Sequence, residues 1–188
     1  MLAALSLRIH ALLERSYANG PGCRAVVWTQ GCSIRCPGCF NPEAQAPDGG
    51  RDITVPDLLR RVRSIPGIEG VTISGGEPLE QHEAVGVLLH DLRRTTRLSI
   101  VLFSGYPWEH IVREPAYAAV TSLADVVIAG PFRRRQRLEH ALLGSANQTI
   151  HLLTRRYALA DLEAVPEMEV VLDEQRAILT GVSDANLT

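Results

Sequence analysis

The sequence contains no lysine: all nineteen of its basic residues are arginine. A chain without lysine forms no Schiff base with a carbonyl substrate, attaches no pyridoxal phosphate and has no lysine for a Walker-type phosphate loop. The N-terminal stretch MLAALSLRIHALLERSY lacks the uninterrupted apolar core of a secretory signal, because Arg8, His10 and Glu14 break its short apolar runs. No segment approaches the ~20 apolar residues of a membrane span. Net charge is also scarce: a formal −2 with pI near 6.3 gives no long-range field toward nucleic acid or an anionic membrane. The expectation is a cytoplasmic protein without nucleic-acid or membrane partners. Its 188 residues, 46% hydrophobic and 21% charged, suit a single domain with one substantial core.

The scarcity reverses at GCSIRCPGCFNP, Gly31 to Pro42, which gathers three of the four cysteines as Cys32, Cys36 and Cys39. Clustered thiols without an export signal point to metal or redox chemistry rather than disulfides. A closed zinc site needs four protein ligands and a cubic iron-sulfur cluster has four irons, so three thiolates leave one position open in either case. The fourth cysteine, Cys23, lies seven residues before Gln30 on an expected strand, roughly 23 Å away at ~3.3 Å per residue, and reads as a small buried hydrophobe.

Hydrophobic patterning sets these residues on an α/β framework. Arg24 to Gln30, Gly70 to Ser74, Leu98 to Phe103 and Asp125 to Ala129 read as buried strands. Between them, Thr54-Val55-Pro56-Asp57 opens a helix with capping-box spacing, Glu80 to Thr95 has a helical apolar stripe, and Pro107 to Leu123 is helical. The alternation implies a mainly parallel sheet, whose ligands gather at the carboxyl ends of the strands. The cysteine loop, Gly-Gly-Glu-Pro, Ser-Gly-Tyr and Gly-Pro-Phe follow the four strands in turn. A helix near Leu159 to Ala164 and a hairpin from Met168 to Leu172 and Arg176 to Thr180 complete the chain. The core spans about residues 19–153 and the C-terminal extension about 154–188.

The Cys-x3-Cys-x2-Cys spacing, with Ser74-Gly75-Gly76-Glu77-Pro78 after the second strand, resembles the radical S-adenosylmethionine enzymes. The resemblance implies a partial (β/α)6-type barrel and a 4Fe-4S cluster on Cys32, Cys36 and Cys39. The fourth iron would chelate the amino and carboxylate groups of S-adenosyl-L-methionine. Reductive cleavage would then give methionine and a 5′-deoxyadenosyl radical that abstracts hydrogen. The two glycines let backbone approach a ligand, and Glu77 offers an acceptor to the methionine ammonium.

Within that superfamily, CPGCFN is similar to the CPGCYN form of the anaerobic ribonucleotide reductase activases. Asn19-Gly20-Pro21-Gly22, Phe103-Ser104-Gly105-Tyr106, Ala129-Gly130-Pro131-Phe132 and Gly144-Ser145-Ala146-Asn147-Gln148 match that group's landmarks in order, so the resemblance covers roughly Asn19 to His151. It implies Phe40 beside the adenine, with the backbone of Gly38 to Asn41 reading the base edge. Ser104 and Gly105 would meet ribose or the methionine carboxylate, and Ile128 and Gly130 would line the adenine pocket. The implied partners are a glycyl radical enzyme or other substrate protein and a one-electron donor such as flavodoxin or ferredoxin.

Departures from the group are Gly38 where most superfamily members carry an aromatic, Ser104 for threonine, and more than thirty residues beyond Gln148. They leave the substrate open between a partner glycine and a small metabolite or peptide. A zinc-binding or redox-sensing interaction module is the alternative from another class. The run Arg133, Arg134, Arg135 and Arg137 reads as a solvated loop or as a docking site for an acidic partner or phosphate.

Overall fold

The computed structural model describes residues 5–172 and 177–181. Its frame is a seven-stranded mixed sheet. Strands β1 (Ser6–Ser16), β2 (Arg24–Thr29), β3 (Arg51–Thr54), β4 (Gly70–Gly75), β5 (Ser99–Ser104), β6 (Val126–Ala129) and β7 (Thr149–Leu152) lie in the order β3-β1-β2-β4-β5-β6-β7. The central four, β2, β4, β5 and β6, are parallel; β1 and β7 flank them antiparallel, and β3 pairs antiparallel with β1 at the outer edge. The hairpin expected near the C-terminus forms as β8 (Met168–Leu172) and β9 (Ala177–Gly181), a separate two-stranded sheet. Residues 173–176, including the expected strand start at Arg176, lie outside the described residues.

Alternation along the parallel strands divides the core. Ile100 and Leu102 of β5 and Val127 of β6 point to one face, with Leu58 and Val62 of α1 (Val55–Ser64) and Leu88 and Leu92 of α2 (His82–Thr95). Val101, Val126 and Ile128 point to the other, where Leu142 and Leu162 of the short helix α5 (Leu159–Glu163) cover them. Helix α1 starts as its sequence dictates: Thr54 Oγ1 accepts from Asp57 N at 3.2 Å, with Pro56 in the first turn. The helical stretch after Pro107 divides into α3 (Trp108–Arg113) and α4 (Pro115–Thr121). Glu114, at φ −90° and ψ 109°, is extended because the following proline ring disfavours helical backbone there.

The sequence pattern did not reveal β1. The residues that interrupt its apolar runs are the outward half of a strand: Leu7, Ile9 and Leu13 are buried, whereas Arg8, His10 and Glu14 are not. Register shifts between Ile9 and Ala11 and between Leu13 and Ser16 break the two-residue period.

At the amino ends of the parallel strands a guanidinium is wholly buried. Arg24 donates to Thr72 Oγ1 at 2.8 Å, Pro21 O at 2.6 Å, Ser99 Oγ at 3.0 Å and Val71 O at 3.0 Å. Burial lowers its pKa from the ordinary guanidinium value. Gly20 of the Asn-Gly-Pro-Gly turn packs on its stem, where a Cβ would lie 2.9 Å from Arg24 Cδ.

Candidate active site at the carboxyl ends of the parallel strands

The cysteine loop leaves β2 at Gln30, whose buried side chain donates to Glu43 O at 2.9 Å and Ala46 O at 2.6 Å. Gly31 N to Ala44 O at 2.8 Å and Cys32 N to Gln45 O at 3.1 Å close the loop at its base. Within it, Cys39 N donates to Cys36 O at 3.2 Å, and Gly38 has φ +76°. Pro37 and Gly38 thus occupy the two central positions of a type II-like turn, the residues that such a turn favours. The turn sets Cys36 and Cys39 three residues apart on one bend. Cys32, Cys36 and Cys39 are half-buried and line one cavity of ≈ 120 Å³, while Cys23 is buried before β2.

The loop after β4 locks onto the cysteine loop through backbone. Gly76 N donates to Thr29 O and Glu77 N to Gly31 O, both at 2.8 Å. Contact is so close that a Cβ on Gly76 would run into the carbonyl oxygen of Gly31, and one on Gly75, at φ +104°, would lie 2.5 Å from Thr29 N. Both glycines are required by this approach.

Glu77 turns inward. Its Oε1 accepts from Leu79 N at 3.0 Å and Ser104 Oγ at 2.9 Å, and its Oε2 accepts from Gly105 N at 2.7 Å. The carboxylate therefore ties the Gly-Gly-Glu-Pro turn to the end of β5, joining two segments that the sequence could only place near each other. Burial pushes its pKa up to about 7, against the lowering effect of these hydrogen bonds. Burial likewise pushes the Cys32 and Cys36 thiols up.

The opposite wall comes from the loops around β6. Phe40 meets Phe132 at a centroid distance of 4.8 Å, and the Arg137 guanidinium lies 5.6 Å from the Phe40 centroid. Gln148 holds this wall: its Oε1 accepts from Gly144 N at 2.8 Å, and its Nε2 donates to Gly130 O at 3.0 Å. Asn147 Nδ2 donates to Pro131 O at 2.7 Å. The two amides fix the loop through side-chain to backbone bonds.

Of the expected site residues, the three cysteines, Phe40, Asn41, Ser74 to Glu77, Ser104 and Gly105 line this cavity. Gly38 sits in the turn beside Arg134, and Ile128 is fully buried in the second core. Sequence reading missed Ile34 as a wall residue, Phe132 as the partner of Phe40, and Glu80, which accepts from Ser33 N at 2.9 Å and steadies the cysteine loop. The signal for Glu80 was its place one helical turn beyond Glu77.

Cys32, Cys36 and Cys39 lie on one loop and line one cavity. A cube offers its thiolate ligands separate corners, and three cysteines on one loop suit three of them. Asn41 N already donates to Cys39 Sγ at 3.4 Å, the kind of amide contact that stabilises thiolate charge. A structural zinc site would need four convergent donors.

A protein-family model described as a 4Fe-4S single cluster domain matches residues 18–151. The anaerobic ribonucleoside-triphosphate reductase-activating protein of Enterobacteria phage T4 is 30% identical over 139 residues, covering 71% of this chain and 86% of that protein. The pyruvate formate-lyase-activating enzyme of Clostridium pasteurianum is 42% identical over 81 residues, covering 40% of this chain and 34% of that protein. The chain thus spans about a third of the length of that enzyme. Among solved structures, QueE from Escherichia coli superposes with a TM-score of 0.41 at 18% identity, over 53% of this chain and 52% of that one.

Proposed function

The chain belongs to the 4Fe-4S single cluster domain family, in the radical S-adenosylmethionine activase group, and from that premise we propose that it cleaves S-adenosylmethionine reductively to activate a partner enzyme by removing hydrogen from a glycine. The observation that carries this reading is the fusion of the three-cysteine loop and the Gly75-Gly76 turn, through Gly31 and Thr29, around one cavity. Cys32, Cys36 and Cys39 would hold a 4Fe-4S cluster whose fourth iron takes S-adenosylmethionine, supplying the one-electron cleavage that yields a 5′-deoxyadenosyl radical. The mixed sheet, in this reading, is the open partial-barrel variant that admits a protein loop.

The chain's own residues position and exclude. The close backbone at Gly75 and Gly76 offers the surface on which the methionine end of the cosubstrate would lie, and Glu77 sets the local charge. With a pKa of about 7, Glu77 loses its proton readily once an ammonium lies beside the turn. Phe40 and Phe132 would stack on the adenine and keep water from it. Outside, Arg35, Arg133, Arg134 and Arg135 are exposed around the cysteine loop, with the Arg134 stem against Gly38. This basic rim fits an acidic one-electron donor of the flavodoxin or ferredoxin kind. Among the described residues no helix is long and apolar enough to cross a membrane.

The test is anaerobic reconstitution with iron and sulfide, then a deoxyadenosine assay on wild type and Cys36→Ala. Wild type should bind about four irons per chain and form deoxyadenosine, and the variant should do neither. Zinc without visible absorption would overturn the reading. Spin resonance on an added anaerobic ribonucleotide reductase should then show a glycyl radical. A second reading keeps the radical chemistry and takes a small metabolite or peptide as substrate. It is favoured by the hairpin, which walls a second cavity that adjoins the cysteine cavity and shares Phe40, Ser74, Phe132 and Gln148 with it. Deoxyadenosine formed without any partner radical would support it.

A further inference from the structure

Beside the cysteine cavity lies a larger one of ≈ 380 Å³ that shares Phe40, Ser74, Phe132 and Gln148 with it. That volume is at the small end of ligand pockets, roughly 300–1,000 Å³. Its near wall belongs to the part of the chain the family model matches, residues 18–151. Its far wall does not: it is formed by His10 and Ala11 on β1 and by Ile178, Leu179, Thr180 and Gly181 on β9. We propose that the β8–β9 hairpin is the specificity-determining wall of this cavity, with Ile178 and Thr180 selecting an uncharged occupant.

Three observations carry the inference. First, β9 borders the cavity along its length. Ile178 is half-buried, Thr180 is buried, and Leu179 and Gly181 also line the cavity, whereas Ala177 is exposed and does not. Second, the hairpin is tied to the body of the fold at this wall. Asn19 Nδ2 donates to Thr180 Oγ1 at 2.8 Å, and Tyr17 N donates to Glu169 Oε2 at 2.9 Å. Third, among the described residues the lining contains no Asp, Glu or Arg. His10 is its one titratable side chain, and its Nδ1 lies 3.1 Å from Gln30 Oε1. The Arg137 guanidinium lies 5.6 Å from the Phe40 centroid, at the end of the cavity remote from the hairpin residues.

The polar groups presented are neutral: Asn19, Asn41, Ser74 and Thr180. They stand among the apolar surfaces of Trp28, Phe103 and Ile178. A phosphate or carboxylate at the hairpin end meets no arginine among the described lining residues and loses its hydration, whereas an uncharged peptide segment finds both donors and acceptors for its amides. The selection is by shape from the hairpin and by the absence of charge.

This inference rests on the reading of the neighbouring loop as a radical centre, and its test separates the two. The cluster-reconstituted chain is titrated calorimetrically with an end-capped Ser-Gly-Ala tripeptide and with the same peptide carrying phosphoserine. Wild type should bind the neutral peptide at least roughly tenfold more tightly. Ile178→Arg should reverse or abolish that preference. Ile178→Phe, which adds bulk without charge, should weaken both peptides and leave their ratio unchanged. Val170→Arg on the outer face of the hairpin, where Val170 is 57% exposed, should alter neither. The proposal is overturned if wild type fails to prefer the neutral peptide or if both Ile178 variants leave binding unchanged. A chain that shows the preference and yet makes no deoxyadenosine would overturn the radical reading and leave the wall intact.

Discussion

Replacing Glu77 by Gln removes a titration that the fold has displaced. The Glu77 carboxyl is 1% exposed and its pKa is pushed from 4.5 up to about 7. Below pH 4.5 it is protonated in both folded and unfolded chains and full stability is present. As pH rises, the unfolded chain releases the proton first and the folded chain holds it until about pH 7. Folding takes up a proton across that window, so stability falls there and levels off above it. At ~1.36 kcal/mol per pH unit the loss is roughly 3 kcal/mol. The glutamine amide loses the bond that Oε2 accepts from Gly105 N, which subtracts a pH-independent ~1–3 kcal/mol. Denaturant unfolding of the cluster-free chain, followed by circular dichroism from pH 4.5 to 8, should therefore show the variant less stable at acid pH. The deficit should shrink by roughly 3 kcal/mol, or change sign, by pH 8. Parallel profiles for wild type and variant would refute the argument from burial.

Gly76→Ala drives a Cβ into the Gly31 carbonyl and breaks the Glu77 N to Gly31 O bond; iron and sulfide per chain should fall well below wild type after identical reconstitution. Arg134→Glu combined with Arg135→Glu should slow reduction by an acidic flavodoxin about tenfold at low salt, with no change in reduction by dithionite. Equal flavodoxin rates would remove the basic rim from the account. Arg24→Met removes the buried donor to Thr72 Oγ1, Ser99 Oγ, Pro21 O and Val71 O, and should cost roughly 3 kcal/mol or more in thermal unfolding.

What the sequence made legible is local. Thr54 and Pro56 prescribe the start of α1, because the determinants are adjacent in the chain. The parallel centre was legible as well, since buried strands in such a sheet are continuous apolar runs. Strand β1 was hidden by its register shifts. The inward turn of Glu77 was hidden because its partners, Ser104 and Gly105, stand 27 and 28 residues away. The hairpin itself was foreseen, but its place against His10 and Asn19 depends on contacts between opposite ends of the chain.

The two ends of β2, β4 and β5 are built to opposite specifications. At one, Arg24 stitches the strands together with bonds that need nothing from outside the chain. At the other, a loop closed mainly by backbone carries three half-buried thiols around a cavity. If oxygen destroys the cargo at the second end, the first has no reason to loosen. The scaffold should survive each loss in folded form and accept a replacement, so that inactivation by air is a matter of refilling rather than of refolding.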